Sequence, residues 1–243
     1  TAIPCYPPSA RPNSRSSERF LRLVEDAGAN FALTDANNLA KAKHHLSRRP
    51  MHLVATDAFE GLNKNDLPLV SAEAVALIQY TSGSSGAAKG VLLSQNNLLA
   101  NLASIKLSFS LSSTSRVVNW LPPYHDMGLI GGILSALYSG YLLISMSPAH
   151  FLQRPLRWLQ AIARYKADTS GGPGFAYDLC VDKITPADIH SLNLSSWQLA
   201  FCGAEPVRPY TMKQFYQTFN RAGLRPSTLF PCYGLAEATL MAT

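Results

Sequence analysis

The sequence predicts an α/β fold with largely parallel strands flanked by helices. Short apolar or β-branched runs alternate with helical stretches along the whole chain, the pattern that βαβ units leave in a sequence. Length agrees, since a chain of 243 residues can bury roughly 70 to 75 per cent of its unfolded surface, enough for one large α/β unit or two small ones. Composition agrees as well: 47% hydrophobic and 15% charged residues argue against disorder. No apolar run approaches the roughly 20 residues that cross a bilayer, so no transmembrane segment is expected.

The elements follow in order. Ser16 and Ser17 precede Glu18 and the periodic apolar positions Phe20, Leu21, Leu23, Val24 and Ala27, with Gly28 just beyond; start signal, face and stop signal predict a helix. Strands are expected at 31–34, 52–55, 74–80, 117–121, 141–145, 198–202 and 228–230. Helices are expected near 95–107, 127–139, 153–165, 173–183 and 208–222. The polar stretch 60–67 reads as a surface loop, with a candidate subdomain join near 60–70.

Charge and cysteine usage exclude several function classes. The net charge is +6, yet Lys and Arg are dispersed, with only Arg48 and Arg49 adjacent and no aromatic-basic stripe, so a nucleic-acid partner is not expected. Cys5, Cys180, Cys202 and Cys232 are too scattered for a C-x-x-C metal or redox motif and read as reduced thiols of a cytoplasmic protein, without chemistry of their own. The chain begins at Thr1 with no leader pattern, and is expected to be the middle of something longer.

The chemistry concentrates in residues 80–91, Y-T-S-G-S-S-G-A-A-K-G-V, between the apolar run 74–78 and the renewed run Val91, Leu92, Leu93. The loop therefore connects strands. Thr81, Ser82, Ser84 and Ser85 supply hydroxyls and Lys89 a cation, while Gly83, Gly86 and Gly90 permit positive φ and close approach of backbone to a polyphosphate. The spacing is not that of the G-x-x-x-x-G-K-[ST] loop, because Lys89 follows Gly86 by three residues. Taken alone, such a Ser/Gly-rich turn is more often a solvated hairpin.

The whole string resembles the phosphate-binding signature of the adenylate-forming enzymes, which include acyl-CoA synthetases, nonribosomal-peptide adenylation domains and luciferases. W-L-P-P-Y-H-D-M-G-L-I-G-G at residues 120–132 is similar to one branch, the fatty acyl-AMP ligases. So are A-I-P-C-Y-P-P near the start, S-P-A-H-F-L-Q-R-P-L-R-W-L from Ser147, G-G-P-G-F-A-Y-D-L-C from Gly171, F-C-G-A-E-P-V-R from Phe201 and Y-G-L-A-E-A-T-L from Tyr233. They occur in family order over essentially the full length.

The resemblance implies a multi-subdomain amino-terminal adenylation domain, truncated at both ends, with the ribose-binding aspartate, the hinge and the catalytic lysine lying beyond it. It implies ATP and Mg as cofactors, a fatty acid as substrate, and an acyl carrier protein or carrier domain as acceptor. Thr81, Ser82, Gly83, Ser84, Ser85, Gly86 and Lys89 would hold the phosphates, with Lys89 and His125 the catalytic residues. Gly203, Ala204, Glu205, Tyr233 and Gly234 would bind adenine, and Glu237 would hold Mg. His125, Asp126, Met127, Gly128, Gly172 and Phe175 would meet the acyl group, and Gly131 and Gly132 would leave space for an alkyl tunnel.

By residue type alone Glu237 reads as a solvent-facing helix residue, while core filler for Tyr233 and a buried helix for 127–132 are the competing readings. Departures from the family pattern fall at Ser85, Ala88, Gly174 and Cys202, the last two replacing polar side chains near the acyl and adenine regions. An acyl-CoA ligase and an inactive nucleotide-binding fragment remain the rival readings.

Overall fold

A computed structural model describes residues 1–9, 14–47, 51–58, 69–81 and 89–243. By contacts the chain divides into two compact units, Thr1–Gln95 and Asn96–Thr243. The join anticipated near 60–70 falls mostly on residues outside the described ones.

In the first unit, α1 (Arg15–Asp26) starts one turn earlier than its sequence signal, because the Ser14 hydroxyl accepts a hydrogen bond from Ser17 N–H and caps it. Phe20, Leu23 and Val24 form its buried face, as the periodicity required. The strands β1 (Phe31–Thr34) and β2 (His52–Ala55) pair in parallel, joined by α2 (Ala36–Leu46), a helix absent from the sequence expectation. Only Ala42 and Leu46 are buried on α2, so it has little periodic signal; its legible mark is the Asp35 cap on Asn38 N–H.

The strands β3 (Val75–Thr81) and β4 (Lys89–Ser94) form an antiparallel hairpin, with Thr81 opposite Lys89. A short connection permits only antiparallel pairing, so this hairpin departs from the largely parallel expectation. Gly90, expected to supply a positive φ, lies instead in β4, where a Cβ would stand 2.8 Å from Ile78 Cγ2 and 3.2 Å from the Tyr80 ring. The missing side chain makes room for its neighbours on β3.

The second unit opens with α3 (Gln95–Ser108) and continues through β5 (Arg116–Asn119), α4 (Asp126–Gly128), a π-helical segment (Leu129–Leu134), α5 (Ser135–Ser139) and β6 (Leu142–Ser145). Then come α6 (Pro148–Gln153), α7 (Leu156–Tyr165), β7 (Thr169–Gly172), α8 (Gly174–Lys183), α9 (Pro186–His190), β8 (Leu199–Cys202), α10 (Pro209–Phe219) and β9 (Leu229–Pro231). The five strands form one parallel sheet in the order β6-β5-β7-β8-β9. Trp158, Trp197, Tyr177 and Phe215, each fully buried, pack edge to face beside it. Ser170 joins that core to the sheet, accepting from Trp158 Nε1 at 2.7 Å and donating to the Val118 carbonyl at 2.6 Å.

The central strand β7 was not anticipated, since T-S-G-G has neither β-branched alternation nor an apolar run. It is a strand because its neighbours demand small residues. A Cβ on Gly171 would strike the Phe201 carbonyl oxygen, and one on Gly172 would come 2.6 Å from Trp120 Cζ2. The helix expected at 127–139 is interrupted by its π-helical segment. Asn119 Nδ2 donates to the Gly128 carbonyl at 3.3 Å and fills the space where Gly132 would carry a Cβ, while Tyr141 Oη donates to the Gly132 carbonyl at 3.2 Å. Polar groups inserted into a helical ladder widen it locally. Among the described residues, no helix is long and apolar enough to cross a membrane.

Candidate functional site

The candidates for phosphate binding belong to the first unit. Thr81 closes β3 and Lys89, exposed, opens β4, so the hairpin brings the two ends of the loop face to face. Ser82, Gly83, Ser84, Ser85 and Gly86, with Ala88, fall outside the described residues.

The other candidates lie in the second unit, on loops that leave the carboxyl ends of its parallel strands, where open α/β sheets collect ligands. After β5 the chain turns at residues 122–125, with His125 N–H donating to the Pro122 carbonyl at 3.1 Å. Gly128 is buried beneath that carbonyl, which a Cβ would strike. Asp126 Oδ1 accepts from Met127 N–H at 2.6 Å and lies 2.6 Å from His125 Nδ1. This hydrogen bond and the carboxylate's charge raise the His125 pKa above the usual imidazole value, against the opposing effect of burial.

One expectation for the acyl region needs correction, the open space beside Gly131 and Gly132. Asp126 is engaged by His125 and the Met127 backbone, so its carboxylate acts on the imidazole. Met127 packs against the main core, and Ile130 is fully buried. Gly131 and Gly132 do not open a tunnel, because Leu240 Cδ2 stands 3.0 Å from where a Gly131 Cβ would be and the Asn119 side chain occupies the space beside Gly132. Gly172 and Phe175 do converge, on Trp120: Gly172 lies against its six-membered ring and Phe175 meets it edge to face at 6.2 Å. Trp120 itself is buried, stacked on Phe151 at 4.0 Å.

The adenine candidates form a cavity of about 510 Å³ at the ends of β8 and β9. Ala204, Glu205, Tyr233 and Gly234 line it, joined by Val207 and Cys232, which the sequence reading did not assign to it. The volume lies within the range of roughly 300 to 1,000 Å³ usual for small-molecule sites. Tyr233 is exposed rather than core filler, with 62% of its surface accessible. Gly203 is buried behind the wall, where a Cβ would come 2.8 Å from both Cys232 Sγ and the Cys232 carbonyl. Ala204 follows at φ 68°, a left-handed conformation that costs a non-glycine residue roughly 1 kcal/mol or more and recurs at ligand sites. That strain leaves no mark in the sequence.

Glu205 has a second task. Its Oε1 accepts from Phe175 N–H at 2.8 Å, linking the loop after β8 to the amino terminus of α8. Gly174, where relatives of the resembled family carry a polar side chain, allows this contact: a Cβ there would stand 3.1 Å from the same oxygen. Burial pushes the Cys202 thiol up to about 12 and the Cys232 thiol up to about 11, so neither is a nucleophile at neutral pH. Glu237 sits exposed in a 3-10 turn, Ala236–Ala238. Among the described residues no group of three or more His, Cys, Asp or Glu side chains could enclose a metal.

The profile of the AMP-binding enzyme family matches residues 3–243. The chain belongs to that family. It is 39% identical to the medium-chain-fatty-acid–[acyl-carrier-protein] ligase JamA of Moorena producens, over 99% of this chain and 42% of that protein. It is 35% identical to the long-chain-fatty-acid–AMP ligase FadD23 of Mycobacterium tuberculosis, over 96% of this chain and 42% of that protein. Among solved structures, the fatty acyl-adenylate ligase of L. pneumophila in complex with acyl adenylate and pyrophosphate superposes with a TM-score of 0.87 at 42% identity, covering 94% of this chain and 40% of that one. The chain thus spans about two fifths of the length of these relatives.

Proposed function

We propose that this chain is the AMP-binding part of a cytoplasmic ligase that activates a fatty acid with ATP and hands the acyl group to a carrier-protein phosphopantetheine thiol. In the first step a carboxylate oxygen attacks the α-phosphorus of ATP and the bond to pyrophosphate breaks, giving acyl-adenylate. In the second the thiol sulfur attacks the acyl carbon and AMP leaves. The observation that carries the reading is the cavity between Ala204, Glu205, Tyr233 and Gly234, formed at strand ends by the residues whose motifs resemble the adenine site of fatty acyl-AMP ligases. The activities for which JamA and FadD23 are named favour a fatty acid as substrate, and that of JamA a carrier protein as acceptor.

Within this reading His125, biased toward its charged form by Asp126, donates to the oxygens of the reacting carboxylate or α-phosphate. Tyr233 and the Ala204–Glu205 backbone flank the base. Thr81, Lys89 and the loop between them grip the outer phosphates. Glu237, an accessible carboxylate, would hold a magnesium ion bound together with the nucleotide. The ion would neutralise the phosphates' charge.

Mass spectrometry of a complete ligase carrying this chain, given a medium- or long-chain fatty acid and MgATP, should detect acyl-adenylate, and added holo carrier protein should become acylated. Acyl-CoA formed as fast as acyl-carrier protein would make the enzyme an acyl-CoA ligase. The isolated 243-residue chain, spanning only part of its relatives' length, is expected to show no multiple-turnover pyrophosphate release. Lys89→Ala should raise the ATP requirement about tenfold or more, with fatty-acid dependence little changed, as loss of a charge-assisted bond of about 1.5 to 3 kcal/mol implies. An unchanged ATP requirement would make Lys89 a surface residue.

A further inference from the structure

Asn101 lies on α3, away from every motif that suggested a nucleotide site, yet its carboxamide holds the segment that carries Tyr233 and Glu237. Nδ2 donates to the Met241 carbonyl at 2.8 Å and to the Ala238 carbonyl at 3.2 Å, and Oδ1 accepts from Met241 N–H at 3.1 Å. The segment 233–243 doubles back on itself. Gly234 and Met241 form an antiparallel bridge, Leu235 N–H donates to the Leu240 carbonyl at 2.9 Å, and Tyr233 N–H donates to the Thr243 carbonyl at 2.8 Å. Glu237 is at the far turn of this fold-back, and one of the carbonyls Asn101 holds closes that turn, at Ala238.

Two anchors hold the fold-back. One is apolar: Leu240 and Met241 pack against the cluster of Ile105, Leu111, Val117 and Tyr141. The other is the Asn101 carboxamide. The apolar anchor fixes the return strand but says nothing about the rotation of the turn at 236–238, where Thr239 adopts a φ of 73°. A carboxamide that binds both the N–H and the C=O of Met241 and also the Ala238 carbonyl fixes that rotation.

We propose that Asn101 is a positioning residue for MgATP: it holds the 233–243 fold-back so that Tyr233 and Glu237 are presented to the nucleotide and its metal in one fixed arrangement. This rests on the assignment of those two residues to the ATP site. Without the clamp the turn must be ordered at the moment of binding, so the loss falls on the nucleotide's apparent affinity rather than on the fatty acid's.

The test uses a complete ligase carrying this chain and compares Asn101→Ala, Glu237→Gln, the double variant and Ser104→Ala. Ser104, one turn along α3, donates to the Ala100 carbonyl of its own helix and serves as the control. Asn101→Ala is expected to raise the apparent KM for MgATP about tenfold, with the KM for fatty acid within about twofold and Ser104→Ala unchanged. The magnesium concentration for half-maximal rate should rise in Asn101→Ala and in Glu237→Gln, with less than the product of the two effects in the double variant. Asn101→Gln, which keeps donor and acceptor, should recover part of the loss.

An unchanged MgATP KM in Asn101→Ala, or a fall in kcat alone that accompanies a lower Tm and affects both substrates equally, would overturn the inference. If Glu237→Gln leaves the magnesium dependence unchanged, the metal assignment fails on its own. The MgATP KM of Asn101→Ala then still decides whether Asn101 positions the Tyr233 wall.

Discussion

Two loops of the second unit, the one following β5 and the one following β9, use the same device and differ in where its support comes from. Each closes on a glycine set so tightly against a carbonyl oxygen that a Cβ has no room: Gly128 beneath Pro122, and Gly234 against Leu240. Each is also held by an asparagine carboxamide. In the first, Asn119 accepts from Leu121 N–H at 3.0 Å and donates to Gly128, so glycine, carbonyl and asparagine all fall within ten residues of sequence. In the second, Asn101 reaches Met241 across a separation of 140 residues. A locally supported loop writes its whole geometry into one motif, whereas a remotely supported loop shows only its tip.

The comparison breaks most sharply at the glycines. Gly128→Ala places a methyl group on a carbonyl inside a turn that contains Pro122 and Pro123 and is buried at its base, so the turn cannot yield without moving His125. Overpacking of this kind costs about 1 to 3 kcal/mol. In a complete ligase the expected result is a fall of about a hundredfold in kcat/KM for pyrophosphate exchange, with a measurably lower Tm. Activity within a few-fold of wild type would show that the turn has slack and that His125 does not depend on it.

Gly234→Ala makes the same collision in the remotely supported loop, and its effect should be smaller and of a different kind. The collision falls on the return strand, at the Leu240 carbonyl beside the Met241 that Asn101 and the Ile105 cluster hold, so the strain bears on the fold-back and leaves the His125 turn untouched. An apparent KM for MgATP raised about tenfold, with kcat within a few-fold of wild type, is the expected outcome of steady-state kinetics. A loss of kcat equal to that of Gly128→Ala would erase the distinction between the two loops.

The same division governs how much of the molecule was legible in its sequence. The strands β1 and β2 stand at the residues their alternation indicated, and β5, β6, β8 and β9 begin or end within a few residues of expectation. Four of the five residues that the family resemblance suggested for adenine, Ala204, Glu205, Tyr233 and Gly234, line one cavity. What could not be read shares one cause: the deciding partner lies elsewhere in the chain. The strand β7 exists because Phe201 and Trp120 exclude side chains from Gly171 and Gly172, and the π-helical segment accommodates Asn119 and Tyr141. Asn101 carried no local signal at all, standing on a helix whose buried positions are Leu98, Leu102 and Ile105.

The smallest effect tests the charge in the locally supported loop. Asp126 raises the pKa of His125 in the folded chain, so the folded state holds the proton more tightly than the unfolded state does. The resulting stability is fully present below the ordinary imidazole value of about 6.5 and is lost as the pH rises through the raised folded value. More than half of the His125 side chain is exposed, 54%, so solvent screens the pair and the effect is modest. Asp126→Asn should therefore lower Tm relative to wild type near about pH 5.5, with the gap narrowing as the pH is taken to about 9, where the imidazole is neutral in both. The second loop supplies the internal contrast, because Asn101→Ala removes only uncharged hydrogen bonds there and its Tm difference from wild type should stay flat across the same range. A gap for Asp126→Asn that is equally flat would show that Asp126 serves the Met127 backbone alone and leaves His125 to titrate as a free imidazole.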